Sequence, residues 1–218
     1  DVELLRPGHM WPSAYMMERC LPIPIAGPSC NALQYRQVWH PKEKRGMHYT
    51  SVQDLCTKGA SRLAKGPIAI ILAEDAVELG STLLHHIGLG FASVIALMPA
   101  AFTLPDEIAA RVVRVDHDLV RNGSHMAVMN ALIAATPSGI WLYYCFNAEY
   151  LFYPFCESRS IGEMLGFQTE ERRDATLTYV IDLYAGDLSR HSNAVALDDA
   201  WLDRSSYYAL ARPGPDGQ

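Results

Sequence analysis

The chain reads as an α/β protein, a largely parallel sheet covered by helices on both faces. Three observations predict it. P-I-A-I-I-L-A, from Pro67 to Ala73, and S-V-I-A-L-M-P, from Ser93 to Pro99, are continuous apolar runs of strand length, as expected for strands buried on both sides. Between them, Val77, Leu79, Leu83, Leu84 and Ile87 recur at helical spacing. The same alternation of strand and helix continues well beyond them, which is the pattern of a parallel sheet built from crossover units.

The elements follow in order. Residues 1 to 66 are rich in Pro, Gly, His and Met and show no sustained period. P-I-P-I-A-G-P-S at Pro22 to Ser29 breaks them with turn formers, so an irregular extension is expected there. After the first strand and helix, Gly88 and Gly90 close the helix and Pro99 ends the second strand. L-P-D-E-I-A-A-R gives a short helix, and V-V-R-V-D-H-D a third strand. S-H-M-A-V-M-N-A-L-I-A-A reads as a helix capped by Ser124 and ended by Pro137-Ser138-Gly139. I-W-L-Y-Y-C-F is the fourth strand and reads as buried. R-S-I-G-E-M-L-G-F-Q-T-E-E-R-R-D-A is mostly helical, with Ser160 and Glu163 spaced as a capping box. T-L-T-Y-V-I-D-L-Y is then expected to be another buried strand. The domain therefore spans 67–190, with a tail over 191–218.

Composition narrows the function. With 218 residues, half of them hydrophobic, the chain can bury a substantial core. A formal net charge of −6 and a pI near 5.7 give no electrostatic reason to bind nucleic acid. The basic cluster Lys42-Glu43-Lys44-Arg45 is short and interrupted by acid, so it reads as a solvated loop. Five cysteines, an odd number without a C-x-x-C pair, fit a reduced, cytosolic chain. The apolar run from Pro67 to Ala73 is too short to span a bilayer. The chain opens at Asp1 and closes on A-R-P-G-P-D-G-Q; a piece of a longer protein, continuing into a further region, is the expectation.

In an open α/β sheet, ligands bind outside the carboxyl ends of the strands, so the polar residues that end each apolar run carry the chemistry. They are Glu74-Asp75, Met98-Pro99, Asp116-His117-Asp118, Asn147-Ala148-Glu149 and Asp182. Carboxylates converging on one rim repel each other, and a divalent cation or a ligand rich in hydroxyl and N–H donors compensates them. Each could equally cap the element that follows it. G-L-G at Gly88 follows a helix instead of a strand, the reverse of the dinucleotide fingerprint. His85 and His86 are adjacent on a helix and cannot both face one ligand, so packing or exposure explains them better than metal binding. No G-x-S-x-G elbow supports hydrolase chemistry.

The order of these features, through M-N-A-L-I-A-A-T-P-S-G-I-W-L-Y-Y-C-F-N-A-E-Y-L-F-Y-P, resembles the GT-A glycosyltransferases of the family-two type. The likeness covers about Pro67 to Tyr184. It implies a GT-A, Rossmann-like sheet, a nucleotide-sugar donor, a glycan or other hydroxyl acceptor, and Mn²⁺ or Mg²⁺ held at a D-x-D motif. It also implies inverting transfer with a carboxylate base, for which Asp182 and Asp187 are candidates. Carried over by position, Glu74 and Asp75 contact the nucleoside, Asp116 lies near the base or ribose, and Asn130 matches the family's helix asparagine. Asn147-Ala148-Glu149 falls at the D-x-D, making Asn147 a donor-site residue and Glu149 the surviving metal ligand. A second alignment sets E-Y-L-F-Y-P on the family's E-F-L-V-Y-P and places Phe146 and Ala148 at the aspartates, which removes the metal. The competing function is a GT-A relative that binds nucleotide, sugar or a partner protein without turnover; a generic α/β nucleotide-binding module is a third.

Overall fold

The computed structural model describes residues 47–119 and 125–202. The described residues divide into two compact units, a larger one up to Arg172 and a smaller one from Arg173.

The larger unit contains β1 (Met47–Tyr49), α1 (Val52–Lys58), α2 (Ala60–Leu63), β2 (Ile68–Leu72), α3 (Leu79–Gly88), β3 (Ser93–Met98), α4 (Asp106–Ala109) and β4 (Val113–Asp116). α5 (His125–Ala135), β5 (Leu142–Phe146) and α6 (Ile161–Glu170) follow. The five strands form one sheet in the order β1-β4-β3-β2-β5, and every pairing is parallel. This is the α/β, Rossmann-like architecture expected. β2 is an inner strand, between β3 and β5, and all five of its residues are fully buried.

Strand periodicity sends alternate residues to opposite faces, and the core is accordingly double. Ala69, Ile71 and Ala73 pack with Leu79 and Leu83 of α3, Ile108 of α4 and Leu165 of α6. Ile68, Ile70 and Leu72 pack with Leu55 of α1, Leu63 of α2 and Leu132 of α5. The assignment of helices to faces follows from crossover handedness. Moving outward from β2 to β3 to β4 puts α3 and α4 on one face, and returning past β2 to β5 puts α5 on the other. Each fully buried aliphatic side chain of β2 contributes about 1.5–3 kcal/mol relative to exposure.

Several elements depart from the sequence reading. The stretch expected to be irregular contains β1, α1 and α2. Ser51 caps α1 by accepting from Asp54 N at 3.1 Å, and Asp54 Oδ2 accepts from Thr50 N at 3.2 Å. A three-residue strand and two helices of four and seven residues are too short to register as a period. β5 is not buried on both sides. It lies at the sheet edge among the described residues, with Tyr144 48% exposed. α6 starts at its expected capping box, with Ser160 and Glu163 each accepting from the other's backbone, but ends at Glu170. The cap expected at Ser124 and the readings for residues 1–46 and 203–218 lie outside the described residues.

In the smaller unit, T-L-T-Y-V-I-D-L-Y does not add a strand to the parallel sheet. Only Leu183–Ala185 (β6) is extended, paired antiparallel with Ala200–Leu202 (β7), and Leu177, Val180 and Ile181 are exposed. An apolar run of strand length shows what could be buried, not what covers it. Among the described residues, no helix is long and apolar enough to cross a membrane.

Candidate functional site

The chain runs from β2 outward through β3 to β4, then returns to place β5 on the other side of β2. The strand order therefore reverses between β2 and β5, the position at which open α/β sheets bind ligands; the helices that follow the two strands, α3 and α6, pack on the same face. Glu74, Asp75 and Asn147 sit at the reversal. Glu74 and Asp75 are exposed at the end of β2, and Asn147 is half-buried after β5.

Asn147 joins the two exits. Its Oδ1 accepts from Glu74 N at 2.9 Å, while its Nδ2 donates to Asp75 Oδ1 at 2.5 Å and to Val77 O at 3.0 Å. Its own N–H donates to Leu72 O at 3.2 Å. An N–H on one side and two oxygens on the other define the amide orientation. Asp75 Oδ1 also accepts from Val77 N at 2.8 Å, which closes the turn into α3.

The next two residues complete the turn. Ala148, in the left-handed region at φ +61°, donates its N–H to Thr82 Oγ1 at 2.9 Å. Thr82 is fully buried and donates in turn to Glu78 O at 2.7 Å. Glu78, before α3, is also left-handed, at φ +50°. Non-glycine residues in this region cost of order 1–3 kcal/mol each and persist where surrounding bonds hold them. Glu149 turns back on its own strand, and its Oε2 accepts from Phe146 N at 2.8 Å. A half-buried strand thus ends on a charge because the carboxylate satisfies a backbone N–H at the sheet edge.

A second polar group lies at the exit of β4. Asp116 Oδ2 is 2.8 Å from His48 Nε2 of β1, and Asp116 Oδ1 is 3.1 Å from Arg114 Nε. Arg114 also donates to Phe102 O at 2.8 Å and Ala100 O at 2.9 Å, which pins the loop after β3. Burial alone raises the Asp116 pKa, but the hydrogen bonds from His48 and Arg114 outweigh it and leave the carboxyl below its ordinary value. Neither His48 nor Arg114 was singled out in the sequence; position i−2 of Arg114 on the same strand face was the available signal.

His85 and His86 serve packing. His86 is fully buried, stacks on Tyr143 with centroids 5.4 Å apart, and contacts Thr82 O through Nδ1 at 2.8 Å. Burial pushes its pKa down to about 4, against the carbonyl contact, which raises it. His85 Nε2 contacts Leu151 O at 2.8 Å. Cys145 Sγ is 3.7 Å from His86 Nε2, but burial pushes the thiol up to about 12, so it is no nucleophile.

The other candidates belong to other elements. Asn130 is exposed on α5. Asp182 and Asp187 belong to the smaller unit; Asp182 is exposed, and Asp187 Oδ1 accepts from Ser189 N and Oγ at 2.9 and 2.6 Å. A cavity of about 220 Å³ lies at the opposite, amino edge of the sheet, between Gly66, Pro67, Ile140, Trp141, Leu165 and Thr169. It is smaller than ordinary ligand sites, and Trp141 Nε1 donates to Thr169 Oγ1 within it at 3.1 Å. The rim at the strand exits is the better-equipped surface.

A divalent cation needs several oxygens turned toward one point. The Asn147 oxygen is bonded to Glu74 N, a Glu149 oxygen is bonded to Phe146 N, and the Phe146 and Ala148 side chains have no ligand atom. Among the described residues, no three His, Cys, Asp or Glu side chains gather where they could hold a metal. The residues of this turn, so arranged, do not fit Mn²⁺ or Mg²⁺. Comparison with protein-family models, curated proteins and solved structures finds no match for the chain.

Proposed function

We propose that the chain is a glycosyltransferase domain of GT-A type that receives a nucleotide-sugar donor where the strand order reverses and passes the sugar to a hydroxyl acceptor. The supporting observation is the reversal of strand order at β2 and β5, with Glu74, Asp75 and Asn147 meeting at the reversal. Exposed carboxylates at strand exits accept hydrogen bonds, and the ribose and sugar hydroxyls of a donor supply them. Asp116 is kept ionised at the same edge of the sheet and suits an N–H donor. In the transfer, a carboxylate takes the acceptor's proton as the oxygen bonds to the anomeric carbon, and the bond to the diphosphate breaks with its electrons leaving on phosphate.

A second reading, binding without turnover, draws on the engagement of Asn147 and Glu149 in backbone hydrogen bonds. Cytosolic location remains part of the proposal. Free Cys56, Cys145 and Cys156 fit a reducing compartment.

Calorimetric titration with UDP in EDTA, followed by assay of UDP release from UDP-glucose, tests both readings. Saturable binding with release supports the transferase. Saturable binding without release supports the second reading, and no binding in EDTA or Mn²⁺ removes both for this nucleotide.

A further inference from the structure

We propose that the Asn147 side chain alone holds the exits of β2 and β5 together at the reversal of strand order, so that this rim is assembled without a divalent cation. The inference rests on the proposed correspondence between the β5 exit and the D-x-D turn. The exits of β2 and β5 are tied by one amide: Asn147 accepts from Glu74 N and donates to the Asp75 carboxylate and Val77 O. The oxygens of Asn147 and Glu149 that a cation would need are already engaged with backbone N–H groups.

An aspartate could not perform this task. It has no N–H to offer Asp75 or Val77 O, and it would set a second carboxylate against Asp75. The substitution that looks like repair of a metal motif is therefore expected to loosen the junction of the two exits. Glu149 fits the same account, since its carboxylate closes the strand end instead of facing Asn147. Ala148 secures the turn to α3 through Thr82.

The test is free of nucleotide, so it stands apart from the proposed activity. Mn²⁺ is titrated into ¹⁵N-labelled full-length protein, with paramagnetic broadening read at residues 74–78 and 146–149, and melting temperatures are measured for wild type, Asn147→Asp and Asn147→Ala. The expected result is no saturable broadening at these residues in wild type. Both variants should melt lower, by about 4 °C or more, and Mn²⁺ should not restore Asn147→Asp. Saturable broadening centred on Glu149 in wild type, or Mn²⁺-dependent stabilisation of Asn147→Asp, overturns the proposal. So does an Asn147→Ala variant that melts like wild type. The wild-type broadening decides the matter even where a variant fails to fold. Absence of UDP binding would count against the proposed function and leave this result standing.

Discussion

His48 Nε2, on the outermost strand of the described sheet, lies 2.8 Å from Asp116 Oδ2 at the exit of the strand beside it. Together with Arg114 Nε at 3.1 Å, it holds the Asp116 carboxyl below its ordinary pKa although burial acts the other way. A carboxyl with a depressed folded-state pKa adds stability that is complete above its unfolded value, here 3.8, and is lost as pH falls through the folded value. Asp116→Asn should therefore melt about 2–4 °C below wild type at pH 7. The gap should close only below pH 3.8. Paired melting curves between about pH 2.5 and about pH 8 check this; a gap that closes near neutrality contradicts it.

His86 should give a pH dependence in a different window. Its folded pKa of about 4 lies below the ordinary 6.5 because burial disfavours the charged ring. The unfolded chain then binds the extra proton first, so stability is full above 6.5 and declines as pH falls toward 4. The difference corresponds to up to about 3 kcal/mol. His86→Phe keeps an aromatic ring against Tyr143 and removes this titration. Its melting temperature should change less between pH 6.5 and 4 than that of wild type, with a residual slope from His85 and His117, whose pKa values burial also lowers. Equal slopes in the two proteins would refute the assignment.

The α6 capping box provides a local test. Ser160 Oγ accepts from Glu163 N at 3.3 Å, and Glu163 Oε2 accepts from Ser160 N at 2.8 Å. Ser160→Ala should lower the melting temperature by about 2–4 °C, whereas Ser158→Ala, outside the helix, should leave it unchanged. Chemical denaturation of the two variants separates loss of the cap from a general surface effect.

The parts of the fold legible in the sequence are those whose signal is local. Continuous apolar runs marked β2 and β3, and the Ser160–Glu163 spacing marked the start of α6. The pairing of strands was another matter. Nothing in L-Y-Y-C-F says that its strand stands at an edge, because the same aromatic side chains fill one core and cover an outer face. T-L-T-Y-V-I-D-L-Y misled for the reason that apolar content is a local property and coverage a tertiary one. The strand-exit rule pointed to Glu74, Asp75, Asp116 and Asn147, which do end or follow β2, β4 and β5. It could not show that Asn147 bonds backbone 73 residues away, or that Arg114 and His48 engage Asp116.

The central claim is that the rim where the β2 and β5 exits meet binds a nucleotide and needs no metal to do so. It is tested most directly by chemical-shift titration of the ¹⁵N-labelled protein with UDP in EDTA, repeated with Mg²⁺. The account predicts saturable shifts centred on residues 74–78, 116–117 and 146–149, with an affinity that changes less than about twofold, under 0.5 kcal/mol, when Mg²⁺ is added. Shifts centred instead on Gly66, Trp141 and Thr169 at the amino edge, or binding that appears only with Mg²⁺, would contradict it.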